Sequence, residues 1–333
     1  MKAFVIDSYQ SKQGVRLAEV PEPDVAAGEV LVRIQAAGVN PLDAQIAEGR
    51  YKLFLPYRMP LILGNDLAGT VVRVGAGVTA FQPGDEVYAR PDKARIGTFA
   101  ELFTLAQGDL ALKPTNISME EAASLPLVSL TAWQALVVRM KVQPGQKVLI
   151  HAGSGGVGTM AIQLAKHLGA TVATTASAAN ADFLKELGAD IVIDYRTEDF
   201  EEALSGFDAV LDSQGVTSVQ KSLRILKPGG MVVSIAGPPD PAFAEEIGGT
   251  LVLKVAARLL SRQTRRAATR LGVHYSFMFM HADGAQLSQI TALVEAGVLR
   301  PVVERVYPFA DTPEALAHLA KGRTRGKIVI SMT

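Results

Sequence analysis

The turn Gly153-Ser154-Gly155-Gly156-Val157-Gly158 contains the residue types and spacing that most clearly predict chemistry in this sequence. In a G-x-G-x-x-G turn the first glycine allows a tight bend and the second lets the backbone approach a pyrophosphate. The third lets the following helix pack closely on a strand. Free N–H groups and the positive end of the helix would then face the phosphates. The turn predicts a dinucleotide-binding site.

The elements around this turn strengthen the prediction, because a bare glycine motif is a weak signal and a loop without a ligand is the alternative. An apolar run, Lys147–Ala152, leads into the turn and reads as a strand. A helical pattern follows at once, with Ala161, Leu164 and Leu168 on one face and Gly169 as C-cap. The sequence therefore predicts strand, turn and helix in the order that dinucleotide binding requires.

The rest of the chain shows two different patterns of apolar residues. Residues 1–122 carry short apolar runs separated by turns, which predict an antiparallel β domain. Residues 123–280 alternate six strand candidates with helices, which predicts right-handed crossovers and a parallel sheet. Residues 281–333 add one helix and two strands that we expect to return to the first domain. The predicted domains are therefore 1–122 with 281–333, and 123–280.

Composition narrows the possible classes of protein. The 333 residues favour two domains, and 33 basic against 33 acidic residues give no overall field that would attract nucleic acid or a membrane. The N-terminus has no signal peptide pattern, and no apolar run could span a bilayer, so we expect a cytoplasmic protein. The chain has no cysteine, which excludes disulfides, thiolate zinc sites and cysteine nucleophiles.

The motifs together resemble the medium-chain dehydrogenase/reductase superfamily. Besides the glycine turn, the resemblance rests on Gly38–Asp43, Gly64–Gly69, Gly84–Val87, Leu226–Gly230 and Gly322–Val329. It covers essentially the whole chain. The resemblance implies an α/β fold with a GroES-like β-rich catalytic domain and a Rossmann domain built on a doubly wound, six-stranded parallel sheet.

The missing cysteines change what the resemblance implies about chemistry. Zinc alcohol dehydrogenases of this superfamily hold their metal with cysteine, histidine and cysteine, whereas this sequence has Asn40 and Asn65 at the first two places. Amides are poor substitutes for thiolate and imidazole, so we expect no metal site. The chain resembles the zinc-independent quinone and enone reductase branch, which implies hydride transfer to a small conjugated acceptor and a homodimer.

The predicted cofactor is NADP(H). NAD-preferring sites place an acid at the end of the second strand, but Thr174–Asn180 contains none. Ser177 and Asn180 could bind a 2′-phosphate, the resemblance adds Tyr195, and Arg196 or Arg323 could supply the missing positive charge. The resemblance also implies that further residues line the cofactor, although core packing is an equal alternative for the two aromatics: Gln214, Ala236, Gly237, Phe277 and Phe279.

Three residues are predicted to handle the substrate by resemblance. Asn40 would donate to the substrate oxygen, although Asn40-Pro41-Leu42-Asp43 is also a good helix start in which Asn40 acts only as a cap. Tyr51 would donate a hydrogen bond or proton, with Tyr57 in the same loop (50–60) and water as alternatives. Thr131 would lie beside the nicotinamide carboxamide, or is an ordinary helix threonine.

One basic stripe stands outside these predictions. Lys254, Arg258, Arg262, Arg266 and Arg270 recur every four residues, as on one helix face. It could be a solvated face with Val255, Leu259 and Leu260 turned inward, or a surface for an acidic partner or membrane. The stripe also supports the alternative function, an NADPH-binding protein with little catalysis that acts through a partner or RNA.

Overall fold

Short runs in which apolar and polar residues alternate form many of the strands, because alternation turns one face of a strand toward a core. The computed structural model describes residues 1–11, 14–52 and 55–332. The strands within these ranges are β1 Lys2–Ile6, β2 Arg16–Glu19, β3 Glu29–Val39, β4 Leu61–Ile62, β5 Leu67–Val74, β6 Glu86–Ala89, β7 Leu102–Ala106, β8 Leu110–Leu112, β9 Lys147–Ile150, β10 Thr171–Ala176, β11 Ile191–Asp194, β12 Phe207–Asp212, β13 Leu226–Ser234, β14 His274–Phe277, β15 Val303–Pro308 and β16 Lys327–Ser331.

Several helices begin where a polar side chain accepts a free N–H group of the first turn. Ser118, Asp240 and Asp283 each accept such a bond. The α-helices are α1 Pro41–Ala47, α2 Met119–Ala123, α3 Pro126–Trp133, α4 Gly156–His167, α5 Ala181–Glu186, α6 Phe200–Ala203, α7 Val216–Ile225, α8 Pro241–Glu246, α9 Leu251–Leu260, α10 Arg262–Leu271, α11 Gly284–Glu295 and α12 Thr312–Ala320. Short 3₁₀ turns lie at Gln107–Asp109, Ala178–Asn180 and Phe309–Asp311, and a π-helical segment at Gln134–Arg139.

The chain divides into two units. Unit 1 contains Met1–Leu130 and His281–Thr333, and unit 2 contains Thr131–Met280. The boundary between the units in the first half of the chain lies within α3, eight residues after the position expected from the sequence. No helix in the described ranges is long and apolar enough to cross a membrane.

Unit 1 is built on antiparallel pairing, as the sequence predicts. Its larger sheet has the order β15-β16-β3-β5-β6-β8, with β7 also paired to β3, and a smaller sheet has the order β2-β1-β4. The C-terminal strand β16 pairs with β3 so that Ile328 lies opposite Val39. Phe4, Leu67 and Phe99 belong to the buried hydrophobic core of this unit.

Unit 2 confirms the predicted doubly wound sheet. Its six strands follow the order β11-β10-β9-β12-β13-β14, and every pairing is parallel. The direction of strand addition reverses between β9 and β12, which is where open α/β sheets bind ligands at the carboxyl ends of their strands. The glycine turn follows β9 directly, so the fold puts it at this position.

The basic stripe differs from the expectation. It lies on two helices, α9 and α10, which meet at the buried Ser261. The inward orientation expected for Val255, Leu259 and Leu260 is wrong, since they are 49%, 64% and 65% exposed. The helices turn small side chains inward instead, at a spacing of three or four residues: Ala257, Ser261, Thr264 and Ala268.

Candidate functional site

The glycine turn of unit 2 has the geometry that a pyrophosphate needs. A Cβ on Gly158 would lie 2.4 Å from the carbonyl oxygen of Ala152, so only glycine lets α4 pack this closely on the turn. A Cβ on Gly153 would lie 2.1 Å from Oγ1 of Thr174. A Cβ on Gly155, the N-cap residue of α4, would meet only the Ala152 oxygen at 3.4 Å. The space beside Gly155 is therefore open, at the end of a helix whose first N–H groups lack intrahelical acceptors.

The loop after β10 brings together the residues predicted to bind a 2′-phosphate. The amide of Asn180 donates to Oγ of Ser177 over 3.2 Å. The backbone N–H of Tyr195 donates to the carbonyl of Ala176, so the end of β11 lies beside the end of β10. Tyr195 is 60% exposed, and the guanidinium of Arg196 lies 5.9 Å from the centre of its ring. Two hydrogen-bonding side chains, a phenol and a cation are thus grouped here.

A buried carboxylate that sequence reasoning missed organises the next two turns. Asp212, at the end of β12, accepts the backbone N–H groups of Gln214 and Gly215 and the hydroxyl of Ser234 at 3.3, 3.2 and 2.7 Å. Oγ of Ser234 in turn accepts the N–H groups of Ala236 and Gly237. The predicted cofactor residues after β12 and β13 are therefore positioned by a single Asp–Ser pair. An acid at the end of a predicted strand was the available signal.

The two aromatics at the end of β14, Phe277 and Phe279, make packing contacts. The rings of Phe243 and Phe277 meet edge to face at 4.8 Å, and the ring of Phe279 lies 6.4 Å from that of Phe243. Phe277 is 7% exposed. Core packing, one of the two alternatives drawn from the sequence, accounts for Phe277, and contact of either ring with the nicotinamide stays a prediction.

His151 is the most strongly buried titratable ring in unit 2. Its ring nitrogens lie 3.1 Å from Oγ1 of Thr175 and 3.0 Å from Oγ of Ser222, and Phe200 packs against its edge. Burial lowers the pKa of His151 to about 4, against an attraction from the carboxylate of Asp212 that raises it. The ring is therefore neutral at pH 7. It packs in the interior, as expected for a residue at the end of β9.

We expect acidification to destabilise the protein through His151. The unfolded chain takes up a proton near pH 6.5, whereas the folded ring resists protonation until about pH 4. Above pH 6.5 the neutral His151 ring costs the folded protein nothing. As the pH falls from 6.5 to about 4, the free energy of unfolding decreases by up to about 3 kcal/mol. Denaturant unfolding of wild type and His151→Gln from about pH 7 to about pH 4 measures the difference. Equal losses in the two proteins would contradict this assignment.

Unit 1 holds a buried polar cluster at the start of α1. Nζ of Lys327 donates to Oδ1 of Asn40 over 2.6 Å, to Oδ2 of Asp66 over 3.1 Å and to the carbonyl of Val39 over 2.9 Å. Nδ2 of Asn40 donates to the same Asp66 oxygen over 2.8 Å. Asn40, Asp66 and Lys327 are all at most 5% exposed. Donation from Asn40 to a substrate would require its bond to Asp66 to open, and this role stays a prediction.

The second half of this cluster surrounds Asp43. Its carboxylate accepts the backbone N–H of Asn40 and the amide of Asn65, each over 2.7 Å. Burial raises the pKa of Asp43 to about 7. Arg90 is also fully buried, donates to the carbonyl of Pro91, and leaves Nε and Nη2 without a partner. The sequence motifs contained Asp43, Asp66 and Lys327 but not Arg90, and spacing alone gave no signal that these residues would meet.

The other predicted substrate residues lie in different settings. The hydroxyl of Tyr51 donates to Oε1 of Gln45 over 2.5 Å, and burial raises the pKa of the phenol. The alternative, Tyr57, donates to the carbonyl of Lys93. Thr131 is buried within α3. The catalytic roles of Tyr51 and Thr131 stay predictions. Part of the loop assigned to the substrate pocket, Leu53 and Phe54, lies outside the described residues.

Two further expectations concern the contact of Arg323 with the cofactor and the lack of a metal site. Arg323 is exposed in unit 1 with a φ of 70°, and its contact with the 2′-phosphate stays a prediction. In the ranges that the structure describes, no group of three or more His, Cys, Asp or Glu side chains is placed to hold a metal ion.

Known proteins similar to this chain share both units. Residues 26–115 match the family described as alcohol dehydrogenase GroES-like domain, and residues 187–330 match the family described as zinc-binding dehydrogenase. The chain is 35% identical to NAD(P)H oxidoreductase RTN4IP1, mitochondrial, of Mus musculus, over 100% of this chain and 89% of that protein. It is 33% identical to the chloroplastic NADPH-dependent alkenal/one oxidoreductase of Arabidopsis thaliana, over 99% and 79% of the two chains.

Structural similarity covers the same length. The quinone oxidoreductase from Coxiella burnetii matches with a TM-score of 0.87 and 31% identity, over 100% of this chain and 99% of that one. Both the antiparallel unit and the parallel sheet are therefore included in the match. With relatives above 30% identity aligned along its whole length, the chain belongs to the quinone and enone oxidoreductase branch of the medium-chain dehydrogenase/reductase superfamily.

Proposed function

We propose that this protein reduces a quinone or an α,β-unsaturated carbonyl with NADPH and without zinc. The named activities of its relatives support the coarser statement that it is an NADP-dependent oxidoreductase with NADP(H) as cofactor. The glycine turn and the group formed by Ser177, Asn180, Tyr195 and Arg196 fit that cofactor. When bound, NADPH supplies a hydride.

The observation that carries the zinc-free proposal is the position of the Lys327 ammonium. It already occupies Oδ1 of Asn40 and Oδ2 of Asp66, the oxygens that a metal at Asn40 would have to share. The chain offers no thiolate to compete with these bonds. Without a Lewis acid, a developing negative charge must be held by hydrogen-bond donors, which suits a conjugated acceptor whose charge spreads onto its oxygen.

In the proposed reaction this chain positions the acceptor and delivers a proton. Hydride adds to the β-carbon of an enone, and the resulting enolate takes a proton from Tyr51 or water. A tyrosine phenol is protonated at pH 7, as a donor must be, and burial raises the pKa of Tyr51 further. For a quinone, the same donor would supply a proton to the quinol oxygen.

A substrate panel tests this function. NADPH oxidation is followed with quinones and short enones at saturating cofactor, with secondary alcohols and NADP⁺ as the comparison. We expect turnover with conjugated acceptors that survives chelator treatment. Tight NADPH binding without turnover across the panel would instead support the binding-protein alternative.

Tyr51→Phe is expected to lower kcat for the best enone by about tenfold or more, since the proton donor is removed. The Kd for NADPH should not change. Tyr57→Phe is the matched control and should leave kcat within about twofold. Equal kcat values for Tyr51→Phe and wild type would remove Tyr51 from the protonation step.

Arg196→Gln is expected to reduce the preference for NADPH over NADH by about tenfold, because one charge-assisted bond to the 2′-phosphate is lost. Arg305→Gln is a matched control, since Arg305 stacks on Tyr307 as Arg196 does on Tyr195. Titrations of both variants with NADPH and NADH give the ratio. An unchanged ratio would remove Arg196 from the cofactor site.

Two further expectations remain part of the proposal. β14 is an edge strand of the parallel sheet, and edge pairing with a second copy would form a homodimer. Sedimentation velocity measures that state. The mouse relative is named mitochondrial and the Arabidopsis relative chloroplastic, and a cytoplasmic location for this chain stays a prediction.

A further inference from the structure

The helices α9 and α10 present an exposed surface with two kinds of side chain. Large aliphatic residues stand at its N-terminal half, with Leu251 and Val252 each 78% exposed. Cations follow along α9 and α10. We define the α9–α10 surface as nine exposed residues of these helices: Leu251, Val252, Val255, Leu259, Leu260, Arg258, Arg262, Arg266 and Arg270.

The cationic half of this surface forms a hollow of about 850 Å³. Its lining includes Leu259 and five arginines, Arg258, Arg262, Arg265, Arg266 and Arg270. Arg265 is held in place by bonds to Oγ of Ser261 and the carbonyl of Arg258. Among the described residues, none of the five arginines forms an ion pair with a carboxylate. The hollow therefore offers several guanidinium groups to an outside anion.

The segment that contains this surface is basic, whereas the rest of the protein is acidic. No acidic residue occurs between Glu246 and Asp283, a stretch that contains six basic residues. Since the whole chain has equal numbers of basic and acidic residues, the remainder carries a net charge of −6. An anionic partner would therefore be attracted to this surface and repelled elsewhere, which orients the protein on approach.

We propose that the α9–α10 surface docks the protein on an anionic lipid bilayer. Lipid phosphates match the guanidinium groups, and acyl chains match the exposed leucines and valines beside them. The combination of an aliphatic half and a basic half is what helices lying in a membrane interface show. The proposal does not depend on which substrate the active site reduces.

Two other occupants fit less well. A second copy docked by the same face would bring two sets of five arginines together without carboxylates from either segment to neutralise them. A nucleic acid would meet no aromatic side chain for base stacking, since residues 247–272 contain none. The exposed aliphatic half would also have no role in binding a nucleic acid.

Vesicle co-sedimentation of the full chain tests the proposal. We expect binding to phosphatidylcholine vesicles that contain phosphatidylglycerol, weak binding to pure phosphatidylcholine, and a decrease with rising salt. The variant Arg258→Gln/Arg262→Gln/Arg266→Gln/Arg270→Gln should lose at least about tenfold in partitioning, as should Leu251→Ser/Val252→Ser/Val255→Ser/Leu259→Ser.

Matched controls remove the same number of cations or of large aliphatic side chains elsewhere. Arg33→Gln/Arg73→Gln/Lys141→Gln/Lys185→Gln alters four exposed cations, and Leu17→Ser/Leu112→Ser/Val138→Ser/Val216→Ser alters four exposed aliphatics. Both should bind vesicles like wild type. Circular dichroism and NADPH binding verify that every variant is folded.

Three outcomes would overturn the proposal. The first is no wild-type binding to phosphatidylglycerol vesicles, and the second is an equal loss in the controls. The third is binding to polyglutamate or RNA that is as tight as vesicle binding and does not need the aliphatic residues. A change from dimer to monomer in the aliphatic variant, with no vesicle binding by wild type, would assign the surface to self-association instead.

Discussion

Gly155→Leu should raise the Kd for NADPH by at least about a hundredfold while changing the melting temperature of the cofactor-free protein little. Gly155 has a φ of −79°, which any residue adopts, and a Cβ there meets only one backbone oxygen at 3.4 Å. The added side chain would extend into the open space at the N-terminus of α4, where we expect the pyrophosphate. The loss therefore appears in binding rather than in folding.

Gly158→Ala is the informative counterpart, because it introduces only a methyl group. Its Cβ would lie 2.4 Å from the Ala152 oxygen and 2.6 Å from Cα of Gly153, so α4 must move away from the turn. We expect a loss of about 1–3 kcal/mol in the free energy of unfolding. Fluorescence titration with NADPH and thermal melting separate the two variants. Full affinity in Gly155→Leu would exclude this turn from the cofactor site.

Lys327→Met should cost about 3–5 kcal/mol in the free energy of unfolding, because it leaves the carboxylate of Asp66 buried without its cation. Lys327 and Asp66 are 5% and 0% exposed, so water does not replace the lost partner. Lys166→Met is the control, since Lys166 pairs with Asp190 at the surface. Its loss should be below about 1 kcal/mol.

The double variant Lys327→Met/Asp66→Asn separates the charge pair from its packing. In wild type, Oδ1 of Asp66 accepts the N–H of Leu127 over 2.7 Å. The amide oxygen that replaces it could still accept this bond, and the buried carboxylate that loses Lys327 would no longer be present. We expect the double variant to be more stable than Lys327→Met by about 1–3 kcal/mol. Denaturant unfolding of wild type, both single variants and the double variant measures the coupling, and a double variant less stable than Lys327→Met would contradict the pairing.

Local patterns predicted the elements that carry the cofactor. The strand, glycine turn and helix of residues 147–169, and the helix start at Pro41, depend on contacts within a few residues, so their sequence signals were direct. The parallel sheet also followed from alternation of strands and helices, since that order restricts the possible connections. The absence of cysteine decided the exclusion of thiolate zinc ligands without any structure.

The buried polar groups could not be found in this way. Lys327 lies 287 positions from Asn40 in sequence, and only the pairing of β16 with β3 brings them together. Asp212 and Ser234 are joined by the register between β12 and β13. Such contacts depend on strand order and register, which a local pattern does not specify.

The sequence also could not predict which side of a helix faces the protein, as α9 shows. The sequence correctly predicted helix, but periodicity alone could not say which side of an apolar and basic helix faces the protein. The structure decided in favour of the small residues Ala257 and Ser261, which let the helix approach closely and leave Leu259 exposed. The sequence by itself thus determined the glycine turn, the class of fold and the lack of thiolate ligands, because these depend on neighbouring residues or composition. The tertiary structure alone decided the ammonium at Asn40 and the exposed α9–α10 surface, because these depend on long-range packing.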